Sequence, residues 1–302
     1  MTSRGKAQSA AAPATAATSG FSLISNEKLL GLYSTMLKCR MLKCRMIQER
    51  ALILFRRNNF IGNDSAAIGQ EAAAVGVAFD LFPEDTIALP PGDLIPSFIH
   101  GLPLEMLFRG LFHPIAPSSG IAALLKIATD AAVANKLNKN NKIAIAISTS
   151  EPTSPGPWHE ALSFAGLHSL PMIFVSWNTL SPQSSPRNSQ TKAKGIPAET
   201  KGYSFPAITV DGNDAVAVYR VAHEAIAHAR LGHGPTLIEC TTDRSNPGDP
   251  ILNMEKYLTR KGLFTEEFKT EVASGFNKKL DAAMEFAEGR PSRKTSTRRA
   301  SR

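Results

Sequence analysis

From residue 140 onward, short apolar runs alternate with stretches of helical spacing. Ile143-Ala144-Ile145-Ala146-Ile147 is a continuous run rich in β-branched residues, and Met172-Ile173-Phe174-Val175 is a second. Between them, His159 to His168 carries Leu162, Ala165 and Gly166 at helical spacing. A third strand is predicted at Ala207–Val210. It leads through Asp211-Gly212-Asn213 into a helix from Asp214 to Arg230, whose apolar face is Val218, Val221, Ala222, Ala225 and Ala229. Gly232 and Gly234-Pro235 stop that helix, and Thr236-Leu237-Ile238-Glu239-Cys240 reads as the next strand. Buried strands alternating with helices imply an α/β fold, a parallel sheet covered by helices on both faces. Ligands of such sheets lie at the carboxyl ends of the strands. The pattern therefore points to two turns, Ser148–Pro157 and Ser176–Pro182.

The first half is more helical, with helices predicted over 26–57, 69–82, 103–112 and 120–137. Leu89-Pro90-Pro91-Gly92-Asp93 is a proline-stiffened loop, and residues 181–201, rich in Pro and Ser, read as a mobile surface loop. Within the first helix the pentapeptide MLKCR occurs twice in tandem, at Met36–Arg40 and Met41–Arg45. Five residues turn a helix by ~140° beyond a full turn. The helix must bulge, bend or re-register there, and Cys39 and Cys44 must face different ways.

Charge narrows the picture. The 302 residues carry a net charge of +8, which by itself suggests nucleic acid or a membrane surface as partner. All of it sits in the ends: Arg4 and Lys6 at one, and Arg290, Arg293, Lys294, Arg298, Arg299 and Arg302 at the other, with no acid in 1–20 or 290–302. Both ends read as disordered tails, the second basic, flanking one formally neutral domain over 21–289. Nucleic acid is thus not an expected partner of the domain. Ser301, behind Arg298-Arg299, is a candidate phosphorylation site of the tail. With 43% hydrophobic residues the domain can bury a core, yet no apolar run reaches the ~18 residues of a spanning helix. No membrane association is expected. Cys39, Cys44 and Cys240 form neither a disulfide framework nor a Cys-x-x-Cys pair, which fits a reducing cytoplasm.

Several stretches together carry a resemblance. LLGLYSTMLKCR, Ile68-Gly69-Gln70-Glu71-Ala72 with AVGVAFDLFPEDTIA behind it, WHEALSFAGLHSLPMIFV, ITVDGNDAVAVYRVAHEAIAHARLGHGPTLIE and DPILNMEKYLTRKGLFTEE occur in this order over roughly residues 26–275. They resemble the alpha subunit of the thiamine-diphosphate-dependent 2-oxoacid dehydrogenases, the decarboxylating component of pyruvate, branched-chain and acetoin dehydrogenase complexes. That pattern needs one copy of MLKCR. The resemblance implies a thiamine-diphosphate-binding fold, thiamine diphosphate held through Mg²⁺, and a beta-type partner subunit in an α2β2 assembly. It also implies a lipoyl acyltransferase component that receives the acyl group.

The family signature is Gly-Asp-Gly after one strand and Asn-Asn after the next, with the Asp and the second Asn on the metal. Counting back from His159-Glu160-Ala161-Leu162 places the first triplet on Thr149-Ser150-Glu151; counting forward to Val175 places the pair on Asn178-Thr179. The candidate cofactor positions are therefore Ser150, Glu151, Asn178 and Thr179, and the metal-ligand positions Ser150 and Thr179. Mg²⁺ is hard and wants six oxygens, a carboxylate among them. A Ser and a Thr offer two neutral hydroxyls. Glu151 is one residue from the lost carboxylate but is followed by Pro152, Pro155 and Pro157, which stiffen the turn.

Other family elements depart too. Tyr-Arg-Asp corresponds to Pro91-Gly92-Asp93, the glycine-rich stretch is cut to residues 113–119, and after Thr242-Asp243-Arg244 the histidine-bearing loop is replaced by Ser245-Asn246-Pro247-Gly248. No residue is assigned as catalytic. His223, His228 and His233 recur every five residues, which does not bring histidines onto one helical face. His159-Glu160 reads as a helix-surface pair, and Trp158 and Trp177 as packing residues. Two readings stand. One is an alpha subunit in oxidative decarboxylation of a 2-oxo acid; the other is an inactive paralogue acting as a structural or regulatory subunit.

Overall fold

The structure is a computed structural model that describes residues 24–56, 69–89, 95–112, 121–149, 155–180, 200–243 and 248–288. The tails, the loop 181–199 and the turn 150–154 lie outside the described residues. Five strands form one sheet in the order β1-β2-β3-β5-β4, every pair parallel. They are β1 (Thr86–Ala88), β2 (Ala144–Thr149), β3 (Met172–Leu180), β4 (Ala207–Asp211) and β5 (Thr236–Asp243). Nine helices are described: α1 (Asn26–Arg56), α2 (Glu71–Ala78), α3 (Ile95–Ile99), α4 (Leu104–Phe112), α5 (Ile121–Leu137), α6 (Pro155–Leu167), α7 (Ala215–Arg230), α8 (Pro250–Arg260) and α9 (Glu266–Glu288).

Side chains alternate across the sheet, so each strand feeds two cores. Ile143, Ile145, Ile147, Ile173, Val175, Trp177, Ile238 and Cys240 point to one face, against α1, α2, α7, α8 and α9. Ala144, Ala146, Met172, Phe174 and Leu237 point to the other, against Leu124, Leu125 and Ala128 of α5 and Trp158, Leu162 and Ala165 of α6. Both faces are covered, as the continuous apolar runs require. The packing of α2 on α7 depends on Gly76, where an added Cβ would lie 2.6 Å from Val218 Cγ1 and 3.0 Å from the Tyr219 backbone N.

Helix ends follow local chemistry. Asp214 caps α7, its carboxylate accepting from the backbone N–H groups of Val216 and Ala217 at 3.0 Å each. Asp249 caps α8 through Ile251 N–H at 2.9 Å, with Pro250 in the first turn. Helix α6 starts at Pro155, four residues before the predicted His159, because a proline suits a first turn that has no N–H partner.

Three strand readings are corrected. Strands β2, β3 and β5 run on to Thr149, Leu180 and Asp243, past the predicted ends at Ile147, Val175 and Cys240. Their carboxyl ends carry polar residues, so hydrophobicity stops before hydrogen bonding does. Strand β1, only three residues long, is held by pairing with β2 and is too short for its period to show. Helix α1 runs unbroken through both MLKCR copies, so the repeat re-registers the helix and does not bulge it. Cys39 is buried and Cys44 half-buried, on different faces as expected. No described helix is long and apolar enough to cross a membrane.

Candidate functional site

Near the carboxyl edge of the sheet the side chains on the α5/α6 face turn from apolar to polar at one level. Ser148 of β2 is in register with Ser176 of β3, Ser176 with Glu239 of β5, and Glu239 with Thr209 of β4. This row crosses four strands. Ser148, Ser176 and Glu239 are buried. Ser148 Oγ donates to the Val175 carbonyl at 3.2 Å, and Thr209 Oγ1 donates to Glu239 Oε2 at 3.1 Å. Two residues on, Asn178 on the same face donates its Nδ2–H to Glu239 Oε1 at 2.9 Å. Ser176 Oγ and the indole N–H of Trp177 are buried without a hydrogen-bond partner.

Of the four candidate positions, the structure places two. Asn178 and Thr179 lie inside β3, their backbones in register with Thr241 and Thr242 of β5, and not in a turn after the strand. Asn178 is buried and its amide is committed to Glu239. Ser150 and Glu151 lie outside the described residues. Thr149, the position before them, ends β2 opposite Trp177. The β4 to α7 turn closes the same edge: Gly212 N–H donates to the Thr241 carbonyl at 2.7 Å, and a Cβ there would meet Thr242 Cγ2 at 2.8 Å. Only glycine fits that approach.

A second node ties segments flanking this edge. Arg40 of α1 holds Glu71 with a bidentate fork, Nε to Oε1 at 2.7 Å and Nη2 to Oε2 at 2.9 Å. It reaches Asp249 as well, at 3.1 and 3.2 Å. Burial alone would raise Asp249, but the Arg40 guanidinium and the helix N–H groups outweigh it and hold the carboxyl below its ordinary value.

No group of three or more His, Cys, Asp or Glu among the described residues could hold a metal ion. His223 bonds Asp80 at 2.7 Å, and His228 and His233 meet ring to ring at 5.1 Å. His159 is half-buried and bonded to the Tyr203 hydroxyl, so the surface reading of His159 is corrected. Trp158 packs edge-on against Phe174, and Trp177 is buried in the core. The sequence does carry one signal for Glu239: a carboxylate inside the apolar run Thr236–Cys240 has to find partners, and Asn178 and Thr209 are among them.

Comparison with known proteins sets this geometry in context. A family model described as dehydrogenase E1 component matches residues 111–248. Pyruvate dehydrogenase E1 component subunit alpha of Staphylococcus aureus (strain Mu50) is 32% identical over 300 residues, which cover 88% of this chain and 79% of that one. The subunit of the same name in Staphylococcus epidermidis (strain RP62A) gives the same identity and coverage. Among solved structures, a candidate thiamin diphosphate-dependent enzyme from Mycobacterium smegmatis aligns over 59% of this chain at TM-score 0.41 and 16% identity. The alignment spans about a third of that structure's chain, 32%.

Proposed function

Because the chain belongs to the alpha-subunit family of the thiamine-diphosphate-dependent 2-oxoacid dehydrogenases, we propose that it is an alpha-type subunit that keeps the scaffold without anchoring the metal-bound cofactor. Its role is then structural or regulatory. The observation that carries this is the donor set: Ser150 stands at the position of the family carboxylate and Thr179 at that of the metal-binding amide. Losing the carboxylate removes the only formal charge the protein would direct at Mg²⁺. Changes behind the ligands alone cost ~10–100-fold in metal affinity, so two substituted ligands cost at least that. The commitment of the Asn178 amide to Glu239 further supports this reading. These residues do not fit a metal-bound diphosphate.

The reading carries a setting with it. The partner is a beta-type subunit, joined in an α2β2 heterotetramer, with the lipoyl acyltransferase component as a further contact. The compartment is the cytoplasm, which three free cysteines support. One observation favours the alternative of turnover, namely oxidative decarboxylation of a 2-oxo acid with acyl transfer to lipoamide: Glu151 supplies a carboxylate one residue from the lost one.

Calorimetry separates the two. Thiamine diphosphate with Mg²⁺ is titrated into the native chain and into Ser150→Asp plus Thr179→Asn, each with and without a beta-type subunit. The expected result is saturable heat for the double variant and none for the native chain, with both assembling. Tight binding by the native chain overturns the proposal.

A further inference from the structure

The two MLKCR copies do not do the same thing. Helix α1 is unbroken, so equivalent residues of the copies face directions ~140° apart and lie ~7.5 Å apart along the axis. Met36 and Cys39 of the first copy are fully buried, while their counterparts Met41 and Cys44 are half-exposed. The order is reversed at the leucines: Leu42 of the second copy is fully buried and Leu37 of the first is not. Lys43, in the second copy, is buried at 8% exposure, whereas Lys38 is not. The arginines also divide. Arg40 grips Glu71 and Asp249; Arg45 reaches Asp281 of α9 at 3.3 Å.

The core-facing stripe thus runs Leu29, Leu32, Tyr33, Met36, Cys39, Leu42 at helical spacing, taking Met36 and Cys39 from the first copy and Leu42 from the second. Removing either copy leaves the same sequence, in which Met46 to Arg50 follow Arg40 directly. On the unchanged stripe, Ile47 then falls where Leu42 is now, Gln48 where Lys43 is, and Arg50 where Arg45 faces Asp281. An isoleucine in that apolar place is a volume-conserving replacement for the present leucine.

We propose that the second MLKCR is a spacer that acts beyond the Arg40 clamp: it leaves the clamp intact and moves Ile47 and Gln48, both exposed, out of the core-facing places that Leu42 and Lys43 now fill. Ile47, 38% exposed, is the visible product of that turn. Arg40 is the positioning residue of the arrangement, since it fixes α1 relative to Glu71 and Asp249 whatever follows it. The extra five residues then displace the exit of α1. This inference does not rest on the loss of the metal site.

Thiol labelling tests it. Ile47→Cys is placed in a Cys44→Ser background of the full chain and in the chain lacking residues 41–45. The full chain is expected to react with a maleimide under native conditions and the shortened chain to be protected, while Arg40→Ala lowers the melting temperature of both. Equal labelling of the two chains overturns the proposal, as does failure of the shortened chain to fold. A length-preserving test uses single alanines. Met36→Ala is expected to lower the melting temperature more than Met41→Ala, and Leu42→Ala more than Leu37→Ala. If one copy is the more sensitive at both places, the proposal is wrong.

Discussion

Asn178 donates its side-chain N–H to the buried carboxylate of Glu239 at 2.9 Å, joining β3 to β5 at the edge where a ligand of this fold would lie. Both groups are more than nine-tenths buried, so each depends on the other. Asn178→Ala removes one donor from a buried carboxylate that also accepts from Thr209, and is expected to cost about 1–3 kcal/mol. Glu239→Gln keeps the shape and removes the charge, so it should cost less. Urea unfolding of the two variants checks the order, and a neutral effect of Asn178→Ala would remove the bond from any account of this edge.

Arg40 bridges Glu71, whose side chain is fully buried, and Asp249, whose side chain is 36% exposed. Arg40→Met leaves Glu71 buried without its cation. The expected loss is about 3 kcal/mol, the low end for breaking a buried pair, because the Asp249 share is screened by solvent. Arg40→Lys keeps the charge but cannot form the fork, and should fall between. Equal stability of Arg40→Lys and the native chain in chemical denaturation would show that charge alone suffices.

The sheet was legible from residue 140 because β2 and β3 open on uninterrupted apolar runs and β4 and β5 carry shorter ones beside a strongly periodic helix, and periodicity reports burial. It failed where burial and polarity coincide. Ser148, Ser176 and Asn178 are polar yet lie in strands, so the strands seemed to end two to five residues early. Those same residues form the edge of interest, which placed the Asn178-Thr179 pair in a turn it does not occupy. Arg40, Glu71 and Asp249 could not be joined from sequence, since 31 and 209 residues separate Arg40 from its partners and no local pattern marks such a pair. Spacing did decide the repeat: a five-residue step cannot keep one face, and Cys39 and Cys44 separate accordingly.

Acid should weaken the fold through Asp80 and Asp249. Burial opposes the charged form of Asp80, but hydrogen bonds from Tyr219 at 2.6 Å, Lys28 at 3.0 and 3.1 Å, and His223 at 2.7 Å outweigh it and hold the carboxyl below its ordinary value. A carboxyl depressed in the folded state contributes stability that is present above its unfolded value, near 4. That contribution is lost as pH falls through the lower, folded value. Melting temperature is expected to be steady from pH 7 to about 5 on this account and to drop below about 4. Asp80→Asn should flatten the acid limb while lowering stability at pH 7. High salt should blunt the Lys28 share, since that side chain is 42% exposed.

Cys240 sits in β5 beside Glu239, fully buried. Burial pushes its thiol up to about 12, and the neighbouring carboxylate adds to the rise. Because the thiolate is the reactive form, Cys240 has almost none of it at neutral pH, and its burial keeps reagents away as well. Cys39 is likewise buried in α1, which leaves half-buried Cys44 as the accessible thiol of the three. Alkylation with iodoacetamide at pH 8 followed by mass spectrometry is expected to mark Cys44 in the native protein, with Cys39 and Cys240 marked only in denaturant. Glu239→Gln should leave that pattern unchanged, because burial, the larger cause of the raised thiol, remains. Native labelling of Cys240 at the rate of Cys44 would mean that the helices covering its face of β5 open in solution, and the core that Cys240 shares with Ile145, Val175 and Ile238 would then not be a closed one.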